Sequence, residues 1–166
     1  WPGVPVECIN AGVPGYTSYQ GYEMLVLRGL SYQPDVVVAS FGWNDSREWD
    51  VYSDREHHES YLREQPPGPL KESALCRRIW KAFNRPIGGR TNGVVRVSPE
   101  EYKVLMQSIR TVTTNRGARS ILAVWPHHGN CTPTSITNFT PYQTAVYELG
   151  STGEILDLLP VIQKAL

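Results

Sequence analysis

Hydrophobic and polar positions switch between two periods along this chain, and the switches mark its candidate elements. Val4 to Ile9 is a short apolar run bounded by proline and by Asn10-Ala11-Gly12, which predicts a buried strand ending in a turn. Thr17-Ser18-Tyr19-Gln20 fits a capping box, and Tyr22, Leu25, Val26 and Gly29 follow at helical spacing on one side. Pro34-Asp35 stops that helix. Val36 to Phe41 is nearly continuous in apolar, β-branched residues, the pattern of a central parallel strand buried on both faces. Ser98-Pro99-Glu100-Glu101 predicts a second helix start, with a capping serine and proline at the first helical position. Its apolar stripe is Tyr102, Leu105, Met106, Ile109 and Val112, and Gly117 is its expected C-terminal cap. Ser120 to Trp125 reads as another buried strand, Tyr142 to Leu149 as a helix, and Ile155 to Leu158 as a last short strand.

The pattern weakens from Ser46 to Val97. Charged clusters, Pro66-Pro67-Gly68-Pro69 and Gly88-Gly89 predict a long excursion with one or two short helices. Leu75, Ile79 and Phe83 are the expected buried stripe of one. Residues 46–97 are therefore a long insertion or lid-like segment within one partial domain spanning 1–166. Strands and helices alternate elsewhere, which predicts an α/β sandwich around a parallel sheet.

Composition narrows this picture by exclusion. The 166 residues suit one domain, with 40% hydrophobic and 19% charged residues against wholesale disorder. Sixteen basic and sixteen acidic residues balance, which leaves no net-charge footprint for nucleic acid or an anionic membrane. No apolar run approaches the roughly 20 residues of a spanning helix, and no signal peptide opens the chain. Trp1 in place of methionine, and a helical segment running into Leu166, make both ends look cut. Cys8, Cys76 and Cys131 have no paired spacing, so neither a disulfide framework nor a zinc site is expected, and Cys8 is expected to be buried. The sequons at Asn130 and Asn138 carry little weight.

Ligands of open α/β sheets bind beyond the carboxyl ends of the strands. Three polar clusters fall there: Asn10 to Gly15, Gly42-Trp43-Asn44-Asp45, and the loop of His127 and His128. A glycine such as Gly15 lets a backbone N–H approach a substrate oxygen, and the Asn44 amide can donate to the same oxygen. Preorganised donors of this kind stabilise a developing oxyanion, each worth on the order of 10²–10³ in rate. The plainer alternatives are that Gly15 is only a turn residue and that Asn44-Asp45 is an Asx-turn closing a strand. Trp43 and His127 are candidate substrate contacts, and Asp45 is expected to brace the Asn44 turn through backbone hydrogen bonds. Trp43, Trp49 and Tyr52 would equally serve as packing. His57-His58 sits in a charged stretch and is expected to be solvated. Neighbouring histidines point apart on most backbones, so no metal site is expected.

Taken together, Asn10-Ala11-Gly12-x-x-Gly15-x-Thr17, a helix, Pro34-Asp35, a β-branched strand and Gly42-x-Asn44-Asp45 resemble the SGNH (GDSL-type) hydrolase superfamily. The similarity is strong from Val6 to Asp45 and moderate from Val97 to Leu158. It implies a three-layer α/β/α sandwich of flavodoxin-like type and ester hydrolysis through an acyl-enzyme, without cofactor. The substrate would be a small-molecule ester such as a lipid or an acetylated sugar. Gly15 and Asn44 would take the oxyanion-hole roles. The family's Gly-Asp-Ser block, which supplies the nucleophile, occurs nowhere in residues 1–166. Its Asp-x-x-His block, which supplies the base, is absent from its expected place after the last strand; that spacing occurs once, at Asp54-Arg55-Glu56-His57 within the excursion. The family sheet order then makes the missing first strand the central one, flanked by Val4–Ile9 and Val36–Phe41. The domain is expected to be incomplete, unstable and inactive by itself. The competing expectations are a non-catalytic SGNH-like binding module that has lost its triad and, more distantly, a flavodoxin-like nucleotide or regulatory domain.

Overall fold

A computed structural model describes residues 3–50, 52–63, 65–83, 93–126, 140–150 and 154–165. Helix α1, Ser18–Leu27, begins where the Gln20 side chain accepts from the Thr17 N–H, and a short 3-10 turn, Gly29–Tyr32, follows it. Strand β1 is Val36–Ala39. The excursion then forms β2 (Glu48–Asp50), α2 (Asp54–Arg63), a 3-10 segment (Gly68–Glu72), α3 (Ala74–Phe83) and β3 (Val94–Val95). The remaining elements are α4 (Pro99–Thr114), β4 (Arg119–Val124), α5 (Thr140–Leu149), β5 (Ile155–Asp157) and α6 (Leu159–Ala165).

The protein is α/β. Its main sheet has three parallel strands in the order β1-β4-β5, with Val36 opposite Arg119 and Leu122 opposite Ile155. Helix α4 packs on both α1 and α5, and α4 and α5 also pack against β4. The core between them joins Tyr102, Met106 and Ile109 of α4, Leu122 and Val124 of β4, and Tyr142 and Val146 of α5. Tyr102 and Tyr142 meet edge to face at 5.1 Å. Their hydroxyls donate to the Phe41 and Val97 carbonyls. Burial raises the pKa of both phenols, so they stay neutral donors.

The helix start at Ser98 forms as expected, its hydroxyl oxygen accepting from the Glu101 N–H at 3.2 Å. Gly117 follows the helix end with φ +81, a conformation that favours glycine. The excursion has structure of its own. Antiparallel β2 and β3 close its base, and Ser53 and Glu56 form a capping box at α2.

Several expectations fail, each for lack of a neighbour. Val4–Ile9 forms no strand, and Val4, Val6, Cys8 and Ile9 are all exposed. A strand exists only with a ladder partner, and none of the described strands pairs with that run. β1 stops at Ala39 and, among the described strands, lies at the edge, the open position that the family sheet order implies, rather than buried on both faces. Val36 is 42% exposed and Val38 57%, and Ser40 is exposed as well. Val26 points to solvent because α1 buries a narrower stripe than its apolar spacing suggests. The proposed stripe of α3 is open: Leu75 is 67% exposed, Ile79 50% and Phe83 85%. Among the described residues, no helix is long and apolar enough to cross a membrane, and no His, Cys, Asp and Glu cluster could hold a metal ion.

Candidate functional site

The loop before α1, the first turn of α1, the turn after β1, helix α2 and the residue following β3 line a cleft of about 730 Å³. Gly15, Tyr19 and Gln20 form one side, Asn44 and Arg47 another, and Asp54, His57, His58, Tyr61 and Arg96 the rest.

Gly15 sits at φ +87, a conformation L side chains rarely adopt, and an added Cβ there would meet nothing within 4 Å. Backbone conformation rather than crowding therefore selects glycine. The next residue takes part in the site through its carbonyl, which accepts from Asn44 Nδ2 at 2.9 Å. That bond ties the two loops together across 28 residues of sequence and orients the carboxamide. Its second N–H has no partner among the described residues.

Asp45 anchors this pair from beneath. It is fully buried. One carboxylate oxygen accepts from the Ser18 N–H at 2.9 Å and from the Ser18 hydroxyl, and the other accepts from the Gly42 N–H at 2.9 Å. Gly42 has φ +114, so the chain reverses sharply there. The carboxylate thus pins the first turn of α1 to the end of β1, and the Asp45 carbonyl also accepts from the Val97 N–H. Burial raises the Asp45 pKa, against the lowering effect of the donated hydrogen bonds.

Arg96 organises the opposite side. Nε and Nη2 grip the two Asp54 oxygens at 3.0 Å each, a bidentate pair with both side chains largely covered. Nη1 donates to the Gly15 carbonyl at 2.7 Å, and Nη2 also reaches Gln20 Oε1 at 3.2 Å. Asp54 in turn accepts from the Thr17 hydroxyl at 2.6 Å. Both ends of the Gly15-Tyr16-Thr17 segment are therefore held by one ion pair.

Of the residues singled out in the sequence, Gly15 and Asn44 line this cleft. Trp43 does not line it. Its ring is half exposed and carries the Arg47 guanidinium at 5.0 Å, and Arg47 is the residue that faces the cleft. His127 and its neighbour His128 lie outside the described residues, as do Cys131 and the asparagines of both sequons, Asn130 and Asn138. His57 is exposed, yet both it and the half-buried His58 line the cleft. Their rings meet Tyr52 and Tyr19 edge to face at 5.7 and 5.8 Å. Sequence reasoning missed Asp54 and Arg96 altogether. Ser53-x-x-Glu56 was a visible helix start that fixes the backbone position of Asp54, but no local signal pairs Arg96 with a loop 81 residues away.

Compared with family models, curated proteins and solved structures, the chain matches none.

Proposed function

We propose that this chain forms the oxyanion-binding side of a serine esterase or acylhydrolase of SGNH type. The observation that carries the reading is that Gly15 and Asn44, far apart in sequence, line one cleft. In this reading the Gly15 N–H and the second N–H of Asn44 donate to the substrate carbonyl oxygen as it becomes an oxyanion. Asp45 and the Asp54–Arg96 pair hold those donors in place beforehand, which is what makes such donors effective. A serine Oγ adds to the ester carbon, the alcohol departs with a proton from the base, and water then releases the acid from the acyl-enzyme. The serine would come from a Gly-Asp-Ser block outside residues 1–166. The histidine would come from the Asp-x-x-His block that the family places after the last strand, since the Asp54 carboxylate of the one such spacing in the chain is engaged by Arg96 and Thr17.

The test is made on the full-length protein with a soluble chromogenic ester. Asn44→Ala should lower kcat by roughly 10²–10³ while KM changes little. Turnover that survives unchanged removes Asn44 from the mechanism. A full-length protein that neither hydrolyses esters nor reacts with a serine-directed phosphonate probe is a non-catalytic binding module instead.

A further inference from the structure

Helix α3 has an apolar face whose centre is exposed. Placing its residues at about 100° intervals puts Ala82, Leu75, Ile79, Phe83, Cys76 and Trp80 on one continuous arc of roughly 160°. Leu75, Ile79 and Phe83, at its centre, are 67%, 50% and 85% exposed. Arg77 and Arg78 fall at its two borders. The helix carries three basic residues and no acidic one, so the rest of the chain holds 13 basic against 16 acidic residues. Neutrality of the whole conceals a charge segregated onto this one element.

We infer that α3 lies flat on an anionic lipid surface, with Leu75, Ile79 and Phe83 between the headgroups and the arginines among the phosphates. A short helix of high amphipathicity, with aromatic and aliphatic residues on one face and cations along its edges, has the features of an interfacial helix. Charge complementarity selects the occupant. Apolar burial alone would accept any greasy partner, but cations bordering both edges of an exposed, convex face match a plane of anionic headgroups. The helix is anchored at one edge of this face and beyond it, which leaves the Leu75–Ile79–Phe83 centre exposed: Trp80 Nε1 donates to the Arg63 carbonyl at the end of α2, and Arg77 Nη1 donates to the Lys71 carbonyl. Tyr61 and Leu62 on α2 and Leu70 in the preceding 3-10 segment are also exposed, so the apolar surface continues beside the helix. This inference is independent of the ester-hydrolysis reading.

The experiment is cosedimentation of the full-length protein with phosphatidylcholine vesicles, with and without phosphatidylserine. Binding should require the anionic lipid and weaken with added salt. Phe83→Asp should weaken it roughly 10- to 100-fold, since an exposed aromatic no longer enters the interface. Arg78→Glu should weaken it about tenfold. Both side chains are exposed, so circular dichroism and unfolding midpoint should not change. Absence of binding to anionic vesicles overturns the inference, as does binding that both variants leave intact. A Phe83→Asp variant that instead dissolves a dimer assigns the face to a second copy and overturns it too. So does a variant that changes hydrolysis of a soluble ester without changing vesicle binding, which would make α3 a cover for the cleft.

Discussion

Arg96 and Asp45 show how single charged groups set a loop that the backbone alone leaves open. Arg96 spends its guanidinium on the Asp54 carboxylate and the Gly15 carbonyl. Arg96→Ala leaves a largely covered carboxylate with the Thr17 hydroxyl as its remaining side-chain partner, and should cost about 3–5 kcal/mol in urea unfolding. Adding Asp54→Ala should then cost less than its effect in the wild-type background. Strictly additive losses would show that the pair is not coupled. Asp45 gives a pH signature. Its carboxyl is held above its ordinary range by burial, so the folded state keeps that proton to higher pH than the unfolded chain does. As pH rises from the ordinary carboxyl range to the raised folded value, the unfolded state ionises first and stability falls; above that window Asp45 adds no slope. Asp45→Asn should abolish this contribution. It should also cost about 1–3 kcal/mol, because an amide cannot accept from Ser18 on one side and Gly42 on the other. Unfolding midpoints measured across acid pH check both effects.

Elements meet where side chains are missing as much as where they are present. Gly21 lies in α1 against the Phe41 ring, and a Cβ there would overlap that ring. Alanine gains about 1 kcal/mol in helix propensity over glycine, yet overpacking costs about 1–3 kcal/mol. Gly21→Ala should therefore be neutral to destabilising in thermal melts, and a clear rise in Tm would mean that α1 does not pack on Phe41 as described. Helix α4 is the opposite case, since its cap, first proline and apolar stripe all agree, and its core residues are buried as their spacing predicts. Helix α3 has an equally clear stripe and leaves it in the open. Periodicity reports that a face is apolar; it does not report what lies against it.

At the scale of the whole molecule, the sheet remains open at β1. Val36 and Val38 are exposed beside an edge whose backbone groups pair with none of the described strands. An unprotected apolar edge recruits other chains. Residues 1–166 expressed alone should associate at micromolar concentration, and Val38→Lys should reduce that association in light scattering. A monodisperse wild-type chain would show that the edge is covered. The α/β class and the three strands of the main sheet were readable because β-branched runs between helical patterns have few other solutions, whereas β2 and β3 of the excursion were not. Val4–Ile9 was misread because an apolar run becomes a strand only where a neighbour completes its ladder, and sequence does not show neighbours.

The sequence by itself determined the local devices. Ser98 with Pro99 starts a helix, Gly15 and Gly42 permit positive φ, and the β-branched run at Val36 favours extended chain, because each depends on atoms only a few bonds apart. Tertiary structure alone decided which loops meet. Asn44 against the Tyr16 carbonyl, Asp45 under Ser18, and Arg96 clasping Asp54 and Gly15 all join residues far apart in sequence, and such contacts exist only once the packing of helices on the sheet has offset the entropy of closing the chain between them.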